Sequence, residues 1–215
     1  MATFKGWSED CQRFFIGLEL DNSKKYFEAN RRTYEDSVKG PMVALLESLE
    51  ADFGPGKVFR ANRDIRFSKD KSPYKTNIGA LVGSGYIQLS ARGLAVGDGM
   101  YAMTPGQLER YREAVASDGA GGQLERVILA VEKHGISVNG HNSLKTAPRG
   151  YPADHERIEL LRHKGLIAWR EWPIEPWLGT AEARKHIAGF LVASRPLSTW
   201  LDTHVGPSTA EAPIT

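Results

Sequence analysis

Short apolar segments follow one another through the middle of the chain, and the turns between them are only a few residues long and rich in glycine. Alternation of apolar and polar residues within such segments is typical of β-strands. Because a parallel connection takes a dozen or more residues, these strands must pair antiparallel. The predicted strands are 58–68, 78–82, 86–90, 94–96 and 100–103.

Helical patterns precede the strands. Ser8 is a suitable N-cap for a first helix, and Asn22 or Ser23 is suitable for a second helix that continues to Val38. Pro41 fits the first turn of a third helix. The first fifty residues are therefore predicted to be a helical layer.

Further helices and two short strands are predicted after the meander. Thr104 and Gln107 have the spacing of a capping box, so a helix is expected to begin there. Residues 117–122 are glycine-rich and are predicted to be a loop before the next helix. The remaining predictions are strands at 136–138 and 166–172, a helix that Asp154 caps, and two C-terminal helices that Thr180 and Pro196 open.

This order of elements indicates an α+β fold, with an antiparallel sheet from a central strand meander flanked by N-terminal and C-terminal helices. The 215 residues contain no linker long enough to separate two parts. We therefore predict one domain over 1–205 and a frayed tail over 206–215.

Composition excludes several classes of protein. No run reaches the roughly 18 apolar residues of a membrane span, and the first residues lack the apolar core of a signal peptide. A cytoplasmic location without a membrane partner is expected, and the single Cys11 is interpreted as core filler rather than a nucleophile. The six histidines lack the spacing of a metal site, so neither metal nor cofactor is expected.

Positive charge is concentrated in one segment. Residues 57–75 contain seven Lys or Arg against Asp64 and Asp70, a local charge of +5, so the net charge of +2 leaves −3 for the rest of the chain. A concentration of one sign attracts anions. A general nucleic-acid coat is not indicated at so low a net charge.

As a strand, this segment has two different faces. Phe59, Ala61, Arg63, Ile65 and Phe67 share one face, while the other carries alternating donors and acceptors at Arg60, Asn62, Asp64, Arg66 and Ser68. Because Arg63 falls on the apolar face, it is predicted either to be buried against Glu28 or Glu35 or to be turned outward by a bulge.

A turn follows the predicted strand, because Pro73 disfavours helix at the preceding residue. This turn carries Lys69, Lys71 and Lys75, and the Tyr74 ring is predicted to be available to a ligand. Two interpretations stay open. The segment is a ligand site, or its charges form cross-strand ion pairs, each of which stabilises by only ~0 to 1 kcal/mol.

The same segment, 63–75, closely resembles the hallmark stretch of an uncharacterised bacterial and fungal family, the domain of unknown function twenty-four sixty-one. The resemblance extends to 22–34, 97–101, 144–155 and 160–164, and thus covers nearly the whole chain. It implies one compact domain with the basic motif as the shared feature, and it implies no activity.

Three segments of the resemblance also suggest a constellation around the basic strand. One interpretation brings them together in a cleft, and the other makes 148–152 a rigid turn that Asp154 caps. The supporting residues of the cleft interpretation are Asn30, Tyr34 and Glu35 on the second helix, and Lys145, Arg149, Tyr151, Asp154 and His155 in the late loop.

The leading functional hypothesis is an anionic small ligand, bearing phosphate or carboxylate, held by the basic segment. The predicted ligand-binding residues are Arg60, Arg63, Arg66, Ser68, Lys69, Lys71, Tyr74 and Lys75. One alternative is an enzyme acting on a phosphorylated substrate, with Asp64, Asp70 or His155 transferring a proton. A second alternative is a nucleic-acid or protein interaction module.

Overall fold

Hairpin geometry organises the sheet. A computed structural model describes residues 3–66 and 68–207, and within them the strands are hydrogen-bonded in the order β1-β2-β3-β4-β6-β5. Gly83, which starts the two-residue turn between β2 and β3, has a φ of 54°, in the left-handed region that favours glycine. The strands are β1 (Gly56–Val58), β2 (Asn77–Val82), β3 (Gly85–Ser90), β4 (Gly93–Met100), β5 (Ser137–Gly140) and β6 (Leu166–Pro173).

The sheet is antiparallel, as predicted, and the fold is α+β. In β2 and β3, Ile78 pairs with Leu89 and Ala80 with Ile87. The helices are α1 (Glu9–Leu20), α2 (Lys24–Ala29), α3 (Arg31–Thr33), a π-helix (Tyr34–Lys39), α4 (Gly40–Phe53), α5 (Pro105–Ala116), α6 (Asp118–Glu132), α7 (Ile158–Arg162), a 3-10 helix (Pro176–Gly179) and α8 (Glu182–His204).

The described residues divide into two compact units. The first consists of the described parts of Met1–Val96 and Glu171–Gly189, and the second of those of Gly97–Arg170 and Phe190–Thr215. In the first unit, α4 packs on β1 and β2. Its core includes Phe14, Leu18, Met42, Leu45 and Ile87, each of which is almost fully buried.

The second unit has its own core, in which α5 packs on α6 and α7. Tyr111 and Trp200 are buried with their rings at a right angle, 6.2 Å between centroids. The predicted capping box is confirmed, since Thr104 and Gln107 exchange hydrogen bonds at the start of α5. The single domain over 1–205 stays a prediction.

Two predictions about helical parts of the chain, a loop at 117–122 and an uninterrupted second helix, are wrong. Residues 117–122 do not form a loop, because the Ser117 hydroxyl accepts the Ala120 N–H and α6 starts at Asp118. Gly121 is needed there for space, since a Cβ would overlap the carbonyl oxygen of Val115. The second predicted helix is interrupted after Ala29 and continues as α3 and a π-helix.

The two predicted C-terminal helices are one helix, α8, with Pro196 inside it. Proline supplies no N–H for the carbonyl of Val192, which costs helix stability. Leu191 and Leu197 on either side are nevertheless buried, so tertiary packing outweighs that local cost.

The strand predicted at 94–96 is confirmed, but the break after it and a second strand over 100–103 are wrong, because β4 runs without interruption from Gly93 to Met100. Its glycines mark close approaches rather than turns. A Cβ on Gly97 would lie 2.7 Å from the Trp169 ring, and Gly99 has a φ of 115°.

Other predictions concern the membrane, Cys11 and the C-terminal tail. Among residues 3–66 and 68–207, no helix combines the length and apolarity that crossing a lipid bilayer requires. Cys11 is buried, as predicted, and burial raises the pKa of its thiol to about 12. Of the predicted tail, 208–215 lies outside the described residues, while Gly206 accepts a hydrogen bond from Gln107 at 2.9 Å.

Candidate anion-binding site

The predicted site lies in what we call the basic loop, residues 60–66 and 68–75 of the first unit. Its two ends run antiparallel, because the Arg63 N–H donates to Pro73 O at 2.9 Å and the Lys75 N–H donates to Ala61 O at 2.8 Å. The two ends thus form the base of a long hairpin, with residues 64–66 and 68–72 at its tip.

A bulge lies at the base of this hairpin. The Phe59 N–H donates to Gly79 O at 2.9 Å, and the next bond joins Lys75 to Ala61. Only Arg60 lies between these bonds on the first segment, whereas residues 76–78 lie between them on the second. The extra residues of this bulge are 76–78, opposite Arg60, so the bulge predicted at Arg63 is not the one observed.

The predicted strand over 58–68 is wrong, since β1 ends at Val58. Two aspartates explain the irregular backbone that follows. The Asp64 side chain accepts the Arg66 N–H at 3.2 Å, and the Asp70 side chain accepts the Ser72 N–H at 2.9 Å. Such local turns satisfy backbone groups that a strand ladder would otherwise need.

The predicted alternation of burial is nonetheless present. Arg60, Asn62, Asp64 and Arg66 are exposed, while residues 61, 63 and 65 are half-buried. Phe67, predicted on the apolar face, lies outside the described residues. The exposed face therefore carries the charged and amide side chains even where the backbone is not a regular strand.

Asn22 and Phe27 hold the second end of the basic loop. The Asn22 amide accepts the Tyr74 N–H at 3.0 Å and donates to the Tyr74 carbonyl at 3.1 Å. The Tyr74 ring stacks on Phe27 with centroids 4.1 Å apart and planes 6° from parallel. Because the ring is only 7% exposed, the expectation that it is available to a ligand is wrong.

Sequence reasoning missed this role of Asn22 and treated it as a candidate helix cap. Ser23 is the residue that caps α2, since its hydroxyl accepts the Tyr26 N–H at 3.1 Å. The signal was the resemblance itself, because the shared segment 22–34 begins at Asn22 and not at the capping serine.

Two arginines of the basic loop are already paired with carboxylates. Arg66 holds Asp64 through its Nε and Nη2 atoms, the latter at 2.7 Å. These hydrogen bonds lower the pKa of Asp64 to about 2. Arg63 pairs with Asp70, and that pairing, with the Ser72 hydrogen bonds, holds the pKa of Asp70 far below its usual range.

The predicted partners of Arg63 are engaged elsewhere, so that prediction is wrong. Glu28 pairs with Arg31 at 2.6 Å, and Glu35 pairs with Lys39 at 2.9 Å. Asp70 lies seven residues from Arg63 in the same loop and reaches it locally.

Four cations of the basic loop have no carboxylate within ion-pair distance among the described residues: Arg60, Lys69, Lys71 and Lys75. Lys71 donates to the Ile65 carbonyl at 3.0 Å. Lys75 is half-buried as a residue, and its ammonium nitrogen lies 5.5 Å from the centroid of the Phe59 ring. Burial lowers the pKa of Lys75, and the positive charge of Arg60 lowers it further.

Asp64 and Asp70 are poorly suited to proton transfer. A general base works best when its pKa lies near the working pH. Both carboxyl groups have pKa values well below that range because the neighbouring arginines and hydrogen-bond donors favour the ionised form. The two aspartates thus position arginines and backbone amides.

The supporting residues predicted on the second helix have local roles. The Asn30 side chain donates to Tyr26 O at 2.9 Å, and Glu35 pairs with Lys39. Tyr34 is buried, with its ring 5.0 Å from that of Phe27. Tyr34 therefore supports the aromatic cluster beneath Tyr74 and does not itself face a ligand.

The late-loop residues Lys145, Arg149, Tyr151, Asp154 and His155 belong to the second unit, and their convergence on the basic loop stays a prediction. Asp154 is exposed and does not cap α7, which starts only at Ile158, so that prediction is wrong. His155 instead accepts the Arg157 N–H at 3.0 Å.

In the part of the chain that the structure describes, no three His, Cys, Asp or Glu side chains are grouped as a metal ion would require.

No curated protein matches this chain. A conserved hypothetical protein from Pyrococcus furiosus is similar at 15% identity with a TM-score of 0.36, over 74% of this chain and 92% of that one, which carries no argument. The model of a family described as conserved hypothetical protein (DUF2461) matches residues 10–200, so the chain belongs to that family.

Proposed function

We propose that this protein binds an anionic small molecule, bearing phosphate or carboxylate, at the basic loop. Arg60 and Lys75 are the primary contacts, and Lys69 and Lys71 add positive charge at the tip. The proposal places the protein in the cytoplasm, where phosphorylated and carboxylated metabolites are the available ligands.

The observation that carries the proposal is that the Lys75 backbone is hydrogen-bonded to Ala61, the residue after Arg60, while neither Arg60 nor Lys75 has a carboxylate within ion-pair distance among the described residues. Lys75 is half-buried as a residue, and burial and the charge of Arg60 both lower its pKa. Holding like charges in this way costs free energy, which an anion lying between them would recover. Purely structural ion pairing explains Arg63 and Arg66 but leaves Arg60 and Lys75 unexplained.

Rigidity of the loop supports the same proposal. The Asn22 hydrogen bonds and the Phe27 stack fix Tyr74, the residue next to Lys75. A loop ordered before binding loses less conformational entropy when a ligand arrives. A solvated charged surface would have no need of such a fixed base.

Arg66 is suited to a secondary contact. A guanidinium has five N–H donors, and Asp64 engages the Nε and Nη2 side. The Nη1 group has no protein acceptor among the described residues, so its donors stay available to an anion. Asp64 would hold the arginine in place while that edge binds.

A thermal-shift screen of phosphorylated and carboxylated metabolites tests the proposal. Ligands that bind the native state raise the melting temperature. We expect hits with the wild type and with the control variant Lys133→Gln, which removes an exposed lysine in the second unit. Arg60→Gln and Lys75→Gln should lose most of the shift.

Two results would overturn the proposal: no anion stabilises the wild type, or the loop variants respond as the control does. A response only to nucleic acid, with an affinity that falls steeply with salt, would instead favour an interaction module.

A further inference from the structure

A cavity in the first unit has a different character from the basic loop. Its volume is about 650 Å³. That size is within the range of small-molecule sites, roughly 300 to 1,000 Å³. The start of α1, the end of β3 and the segment that contains the 3-10 helix form its wall, with Trp7, Ser8, Glu9, Leu89, Ile174 and Glu175 among the lining residues.

The wall of this cavity is built by close packing of the chain. The Trp7 N–H donates to the Leu178 carbonyl at 2.8 Å. Gly6 has a φ of 97°, and a Cβ there would overlap the backbone at Gly179 and Thr180. The Trp7 ring also meets Phe4 edge-on at 5.1 Å. The cavity is therefore formed before any ligand arrives.

Trp7 has an unsatisfied hydrogen-bond donor. Its side chain is only 4% exposed, and its indole nitrogen has no acceptor within the described structure. A buried donor without a partner costs free energy. Ser8, beside it in the wall, has a hydroxyl that makes no capping hydrogen bond to α1. Both groups would be satisfied by an acceptor oxygen on a ligand.

The charge of the wall opposes anions. Of the described residues that line the cavity, two are acidic, Glu9 and Glu175, and none is basic. Glu9 is paired with Arg13 at 2.7 Å, whereas Glu175 has no ion-pair partner among the described residues. An unpaired carboxylate at the edge of an apolar cavity favours a protonated amine.

We propose that this cavity binds a small molecule with an apolar, preferably aromatic body, a hydrogen-bond acceptor and a protonated amine. The body packs on Leu89 and Ile174, the acceptor faces Trp7 and Ser8, and the amine pairs with Glu175.

Three probes of one shape test the ligand class: phenoxyethylamine, phenoxyethanol and phenoxyacetate. They share the aromatic ring and ether oxygen and differ only in a positive, neutral or negative end. The readout is the indole N–H signal of Trp7 in two-dimensional NMR, assigned by its loss in Trp7→Phe. We expect a saturable shift with the amine, a weaker response with the alcohol and none with the carboxylate.

Variants separate the contributions. Glu175→Gln should weaken binding of the amine by about threefold, as expected for the loss of a solvent-exposed ion pair. Binding of the alcohol should be unchanged. Glu47→Gln, an exposed glutamate on α4, is the matched control and should change neither. Ile174→Ala should weaken both probes, and because Ile174 is 41% exposed, this variant is expected to fold.

An unmoved Trp7 signal, or carboxylate binding as tight as amine binding, would overturn the proposal. If Glu175→Gln weakened binding of the amine and of the alcohol equally, the proposed contact between Glu175 and the amine would be wrong. None of these outcomes depends on the basic loop, so the two proposals fail separately.

Discussion

The side-chain amide of Asn22 accepts a hydrogen bond from the Tyr74 N–H and donates one to the Tyr74 carbonyl, although 52 residues separate the two in sequence. It therefore pairs with one residue of the basic loop as a neighbouring strand would. Beside this contact, Phe27 covers the Tyr74 ring. The loop is thereby fixed at the residue that precedes Lys75.

Removing this amide should loosen the loop. Asn22→Ala leaves the Tyr74 backbone groups without partners, a loss of about 1 to 3 kcal/mol in the free energy of unfolding. Hydrogen exchange at the Tyr74 and Lys75 amides should accelerate. Asn30→Ala, which removes a single local hydrogen bond, is the control. If the Tyr74 amide exchanged at the same rate in Asn22→Ala and in the wild type, Asn22 would not be holding the loop.

Tyr74 should matter for packing and not for ligand contact. Tyr74→Ala removes the stack on Phe27 and is expected to cost about 3 to 5 kcal/mol in stability, measured by urea unfolding. Tyr74→Phe keeps the stacked ring and should retain both stability and anion binding. A Tyr74→Phe variant that is stable but no longer binds anions would show that the hydroxyl contacts the ligand.

Local signals explain which parts of the fold were predicted from the sequence. Thr104 and Gln107 are three residues apart and fix the start of α5 by themselves. The alternating pattern over 58–68 predicted the alternation of burial correctly but not the backbone. Asp64 and Asp70 form local turns there, and Asn22 hydrogen-bonds the backbone of Tyr74. A contact across 52 residues leaves no periodic trace in a single sequence.

The ion pair between Arg66 and Asp64 makes order at the loop tip dependent on pH. The pKa of Asp64 is lowered to about 2 in the folded protein, from an ordinary value near 3.9. The stabilising contribution is therefore complete above that ordinary value and is lost as the pH falls towards about 2. NMR titration of the Asp64 carboxyl carbon measures the pKa of this group in the folded protein.

The Arg66→Gln variant should move the Asp64 midpoint up towards its ordinary value. Arg32→Gln, which removes an exposed arginine paired with Asp36, should leave it in place. A midpoint that is the same in Arg66→Gln and wild type would mean that this arginine does not hold the carboxylate in solution.

Anion binding should also depend on the protonation of Lys75. Burial and Arg60 lower the pKa of Lys75, and only the protonated ammonium attracts an anion. Affinity is therefore expected to be retained below that lowered pKa and to fall as the pH rises through it. Lys75→Arg should shift the loss to higher pH, because a guanidinium stays protonated. The same pH profile in both proteins would contradict this role.

Much of the site was accessible from the sequence because charge is local: seven cations within 57–75 are visible without coordinates. Their pairing was not visible, because the predicted strand directed Arg63 towards Glu28 or Glu35, whereas the chain turns after Arg63 and brings Asp70, seven residues on, to it. The distinction between paired and unpaired cations therefore needed the structure.

Calorimetric titration with inorganic pyrophosphate tests the central claim most directly, on wild type, Arg60→Gln, Lys75→Gln and the control Lys133→Gln. A hydrogen bond to a charged group is worth about 1.5 to 3 kcal/mol, so each loop variant should bind at least roughly tenfold more weakly than wild type and control. Binding of equal strength in all four proteins, or no binding in any of them, would contradict the account.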